Sequence, residues 1–170
     1  MLLIVGNTLF SQTQHIKDME THTIQTFQVV GISTRTINKD GQSIKDIEKL
    51  WTTFWASDLK KMLPNRLTDD IYAVYTDYES DQNGYYTLVI GYPVESMGNL
   101  PDGVVEITIN KSSYQKFTSK GKMPNAVFNT WLEIWNDKEL NRAYKSDFTV
   151  HGKKYFDGNN AEVETFISIN

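Results

Sequence analysis

No cysteine occurs in the chain, which excludes disulfides, thiolate nucleophiles and cysteine-ligated metals together. Histidine is almost as scarce. The three residues stand at 15, 22 and 151, two of them within the first 22 positions, so no histidine-based metal centre is expected. Basic residues are outnumbered 17 to 21, and a formal charge of −4 does not suit direct binding to nucleic acid. Long apolar runs are also missing: Leu2 to Val5 is too short for a secretory or membrane segment and has no basic flank. There is no G-x-S-x-G elbow, and no serine pairs evidently with His151, so no catalytic residue is assigned. These absences leave a cytoplasmic chain with no cofactor and no membrane anchor, whose chemistry rests on other side chains.

Aromatic residues make up 12% of the sequence, and that wealth points to recognition by stacking rather than nucleophilic catalysis. All four tryptophans fall in two runs with the same spacing. Ile47, Trp51, Phe54 and Trp55 in the first match Val127, Trp131, Ile134 and Trp135, 80 residues later. Positions i, i+4, i+7 and i+8 share one helix face, so each run predicts a helix carrying an indole stripe. The repeat implies an internal duplication.

Taken in order, residues 1–18 are expected to be a poorly ordered extension, and the full extension is placed at 1–22. The β-branched stretch from Thr23 to Ile37 predicts a strand, with Gly31 as a bulge or close-approach point. After the turn at Asn38 to Gly41, Ser43 with Asp46 suggests an N-cap, and Pro64 places the helix end near Leu63. Residues 71–78 and 85–90 flank Asn83-Gly84, a hairpin signal. The second half repeats the order. Strands are predicted at 104–109 and 113–118, a helix with Pro124 at its first position, and a hairpin from 148–155 and 162–169. Overlaying the hairpins puts Ala73-Val74-Tyr75 on Thr149-Val150-His151, with Tyr75 and His151 each sharing a strand face with its i−2 neighbour.

Two strand-helix-hairpin units, the paired W-x-x-x-W helices, IYAVYTDYESDQNGYYTLVIGYPV and the closing DFTVHGKKYFDGNNAEVETFISI resemble the GyrI-like, or AraC-type effector-binding, family. The likeness spans residues 23–170 and is strongest to the stand-alone YdeE-like predicted regulators. It implies an α+β fold of tandem β-α-β-β half-modules, about 23–95 and 104–170, related by a pseudo-twofold. It further implies a groove between the halves for a small hydrophobic or amphipathic aromatic molecule, and a separate regulatory protein as a further partner. Members that resemble multidrug sensors place a glutamate in a Phe-Glu-x-Tyr motif of the last hairpin. Here the matching segment is Phe148-Thr149-Val150-His151, so the usual acid is replaced. The expected ligand-binding set is therefore Trp51, Trp55, Tyr75, Trp131, Trp135, Thr149 and His151, with Glu164 as a carboxylate from the neighbouring strand. Two alternatives stand beside ligand binding: hydrolysis of strained cyclopropanoid compounds in the same groove, and a ligand-free interaction module of gyrase-inhibitor type.

Overall fold

The computed structural model describes residues 14–96 and 98–170. Its elements are β1 (Gln14–Ile24), β2 (Phe27–Ile37), α1 (Gln42–Ala56), the short α2 (Leu59–Met62), β3 (Ile71–Thr76), β4 (Tyr85–Val94), β5 (Val105–Ile109), β6 (Ser112–Lys120), α3 (Asn125–Asn136), β7 (Asp147–His151) and β8 (Glu162–Ile169). The strands form one antiparallel sheet in the order β1-β6-β8-β7-β3-β4-β2-β5. About its central pair the order is symmetric. The unit β2-α1-β3-β4 on one side corresponds to β6-α3-β7-β8 on the other, and Ala73 sits directly opposite Thr149 where β3 meets β7.

The outer strands are exchanged between the units. β1 precedes β2 in the chain but pairs with β6, whereas β5 precedes β6 but pairs with β2. Ile24 opposite Ser112 and Phe27 opposite Ile109 keep one register across the gap, so residues 14–31 and 105–120 make one long antiparallel ladder, interrupted by a shift between Lys17 and Thr21. β1 and β5 stand at the two ends of the strand order.

β1 corrects the expectation of a flexible extension reaching residue 22, because from Gln14 onward the backbone is paired in the sheet. The segment carries mixed polar residues on both faces and so gives no alternation to read. Its order comes instead from the ladder with β6 and from contacts such as the 2.6 Å ion pair between Lys17 and Asp137. The expectation for residues 1–13 lies outside the described residues.

Sequence punctuation around α1 also differs from expectation. Gly41, at φ 72, occupies the N-cap, so Ser43 is inside the first turn and buried. Asp46 is engaged from the side instead, accepting a hydrogen bond from Thr36 Oγ1 at 2.7 Å. The helix stops at Ala56, well before Pro64, because Ser57 turns extended and its hydroxyl donates to the Phe54 carbonyl at 2.7 Å. At Gly31, opposite Gly91, the close approach does occur: a Cβ on Gly31 would lie 2.2 Å from the Ile90 carbonyl oxygen.

Both helices pack on one sheet face. Leu50 and Phe54 of α1 meet Val30, Ala73, Leu88 and Ile90, and Trp131 and Ile134 of α3 meet Phe117 and Ile167. Each fully buried side chain of this size contributes roughly 1.5–3 kcal/mol. The opposite face carries its own cluster, with Val74, Tyr114 and Phe148 buried beside Phe27, Tyr72 and Phe166. With both faces covered, β4 reads as an almost unbroken buried run.

Candidate functional site

Between α1 and α3, over the central strands β3 and β7, lies a groove of about 690 Å³. From α1 it takes Ile44, Ile47, Glu48, Trp51, Thr52 and Trp55, whose spacing of three and four defines one helix face. Leu50 and Phe54 occupy the adjacent face and anchor the helix to the sheet, which fixes the direction of the stripe. From α3 and the turn before it come Pro124, Val127, Phe128 and Trp131. Tyr75 of β3 and His151 of β7 form the floor, and Tyr155 closes one end.

Each floor residue packs against the helix of the other unit. Tyr75 meets Trp131 with ring centroids 4.7 Å apart, and His151 meets Trp51 at 4.9 Å, both edge-on. These two pairs are the counterparts predicted by the hairpin overlay, so the duplication builds a symmetric aromatic cradle. Burial is unequal, however. Trp131 is 7% exposed while Trp55, stacked on Tyr155 with rings 8° from parallel, is 49% exposed at the mouth.

The floor is electrically quiet. Burial depresses the His151 imidazole to about 3, so it is neutral in the fold. Its Nε2 lies 2.9 Å from Thr149 Oγ1, whereas its Nδ1 has no hydrogen-bond partner. Burial likewise raises the Tyr75 phenol above its ordinary value and keeps it protonated. The Tyr75 hydroxyl lies near the Trp131 indole and Thr149 and interacts with both, yet Trp131 Nε1 does not reach hydrogen-bond geometry with any acceptor. Glu48 is the one charged side chain among the described residues lining the groove.

A smaller cavity of about 90 Å³ shares Ile44, Ile47, Tyr75, Phe128 and Trp131 with the groove and adds Trp135, Tyr78, Tyr86 and Arg142. Arg142 is held by a 2.7 Å bond from Nη2 to Asp147 Oδ2, with the Tyr144 ring 4.3 Å from the guanidinium carbon. Asp147 is fully buried and accepts three further bonds, from the Tyr78 hydroxyl and from the backbone N–H and hydroxyl of Ser168.

The structure thus brings together Trp51, Trp55, Tyr75, Trp131 and His151 around the groove, and sets Trp135 in the adjoining cavity. Two expected residues take other places. Thr149 is 0% exposed and lies behind His151, which it orients rather than reaching the groove. Glu164 projects from the opposite sheet face, where it pairs with Lys116 at 2.9 Å. Strand alternation explains this: Val163, Thr165 and Ile167 of β8 are buried while Glu162 and Glu164 point the other way. Glu48 is absent from the expected set, although its place three residues before Trp51 puts it on the indole side of the helix. Tyr155 was read as strand, but it sits in a 3-10 turn that carries its ring back to His151, at 4.9 Å. Arg142 had no local signal at all.

Residues 21–169 match the model of the Cass2 family, the integron-associated effector binding proteins, and the chain belongs to that family of GyrI-like effector-binding proteins. It is 32% identical over 143 residues to YobU of Bacillus subtilis (strain 168), a candidate transcriptional regulator, covering 82% of this chain and 89% of YobU. The integron cassette protein VCH_CASS2 from the mobile metagenome of Vibrio cholerae is 28% identical, with a TM-score of 0.70 over 92% of this chain and 99% of its own. SAV2435, solved bound to tetraphenylphosphonium, superposes with a TM-score of 0.74 at 16% identity, covering 89% of this chain and 93% of that one. The large antiparallel sheet with few helices is the GyrI-like α+β fold. Among the described residues no helix is long and apolar enough to cross a membrane.

Proposed function

We propose that this protein is a small-molecule binding module that takes a hydrophobic or amphipathic aromatic ligand into the groove between α1 and α3. The observation that carries the reading is the groove itself: about 690 Å³, within the size range of ligand pockets and walled by indoles from both units. Stacking surfaces accept many flat molecules, and the single carboxylate of Glu48 favours a positive charge near the rim. The tetraphenylphosphonium seen with SAV2435 has both properties, which supports the same ligand class here. The relation to YobU supports a cytoplasmic role in regulation, passed on through a separate regulatory protein.

A closed interaction module would have its tryptophans packed shut, and Trp55 half exposed above an open groove argues against that. For hydrolysis, the Thr149–His151 pair has a hydroxyl beside an imidazole, but Thr149 is sealed from the groove and no carboxylate orients His151 Nδ1.

The test is a titration of the purified protein with tetraphenylphosphonium and with uncharged triphenylmethane, followed by thermal shift and tryptophan fluorescence. Saturable quenching with stabilisation is expected, about 2.7 kcal/mol at a hundredfold excess over Kd. Glu48→Gln should weaken the cation and leave the neutral compound unaffected. A flat response to both compounds would sink the proposal.

A further inference from the structure

At the Arg142 end of the site, polar groups that would normally pair are left over. Arg142 is 8% exposed, and its Nε and Nη1 have no hydrogen-bond partner. The Trp131 Nε1–H is also buried, with the Tyr75 hydroxyl beside it but no acceptor in hydrogen-bond geometry, and both Arg142 and Trp131 wall the same 90 Å³ cavity. Neighbouring polar groups do not relieve them. The Tyr86 hydroxyl donates to Asn38 Oδ1 at 2.9 Å, Asn38 Nδ2 donates to the Gln82 carbonyl at 3.1 Å, and the Gln82 side chain accepts from Tyr144. The buried side-chain atoms of this wall left without a hydrogen bond, Arg142 Nε and Nη1 and Trp131 Nε1, are all donors, and buried donors left unmade are costly.

We propose that this cavity is a subsite for a neutral oxygen acceptor, of carbonyl type, carried at one end of a ligand whose aromatic body fills the main groove. The inference rests on the ligand-binding reading of that groove. Five residues common to the two cavities, Tyr75 and Trp131 among them, make one continuous wall for such a molecule. A neutral oxygen fits better than a carboxylate because Asp147 already balances the Arg142 charge at 2.7 Å. A second buried anion beside that fully engaged carboxylate would be left uncompensated. Arg142 and Trp131 would thus select the head of the ligand, and the aromatic cradle its body.

Three probes of one size separate the possibilities: 2-acetylnaphthalene, 2-ethylnaphthalene and 2-naphthoate, titrated by calorimetry. The ketone is expected to bind roughly tenfold more tightly than the ethyl compound, and the carboxylate no better than the ethyl compound. Trp131→Phe, which keeps a ring but loses the donor, should reduce the ketone-to-ethyl ratio at least about threefold. Arg142→Lys should do the same, and if that variant fails to fold Trp131→Phe alone decides. Equal binding of ketone and ethyl compound overturns the subsite while leaving the groove reading standing. So does a ratio unchanged in the folded variants, or tightest binding by the carboxylate. If none of the three binds, the subsite falls, and the groove reading falls with it only if tetraphenylphosphonium and triphenylmethane also give a flat response.

Discussion

The two ends of the groove come from equivalent parts of a duplicated chain, yet they differ in kind. At one end His151, Trp51, Trp55 and Tyr155 form an open aromatic mouth. At the other, Tyr75 and Trp131 occupy the matching positions but back onto the buried Arg142–Asp147 pair. Duplication supplied the cradle, and divergence of what lies behind it supplied the asymmetry. A symmetric site would present the same chemistry at both ends; this groove presents two different ones.

The largest expected effect comes from breaking the polar end. Arg142→Ala strands the buried Asp147 charge and should cost about 3–5 kcal/mol in urea unfolding. A loss below about 1 kcal/mol would mean that the pair is not the anchor of that end. Next, Trp131→Ala should cost about 3 kcal/mol, and Trp51→Ala roughly half as much, since Trp51 is only partly buried. Equal losses would erase the contrast between the two walls.

A smaller effect concerns the mouth. His151 titrates near 6.5 when unfolded but near 3 in the fold, so its contribution to stability is complete above pH 6.5. It is lost progressively as the pH falls toward 3. The fitted stability of His151→Gln should therefore decline less steeply than that of the parent over this window, as read by denaturant melts at several pH values. Parallel curves would show that the imidazole is not held neutral. The smallest effect is expected for Glu164→Gln on the far face: a stability change within about 0.5 kcal/mol and no change in ligand affinity.

Much of the cradle was legible because helix and strand periodicities are local. The tryptophan spacing gave both helices, and the strand overlay placed Tyr75 and His151 on one floor, as the Ala73–Thr149 register bears out. Thr149 shows the limit of that reasoning. Alternation puts it on the correct face, but depth beneath the surface depends on His151 and Tyr155 folding over it. Glu164 failed because two β8 faces were open to an acid and the sequence alone did not say which one the helices cover. β1 escaped notice because its pairing is a backbone property that leaves no hydrophobic pattern.

The sequence by itself determined the duplication, the elements of each unit, the aromatic character of the site and the family, since these follow from composition and short-range period. Tertiary structure alone decided the exchange of β1 and β5, the choice of Glu48 over Glu164 at the groove, and the meeting of Arg142 with Trp131 and Asp147. Those depend on which surfaces the folded sheet brings into contact, and no local periodicity encodes that.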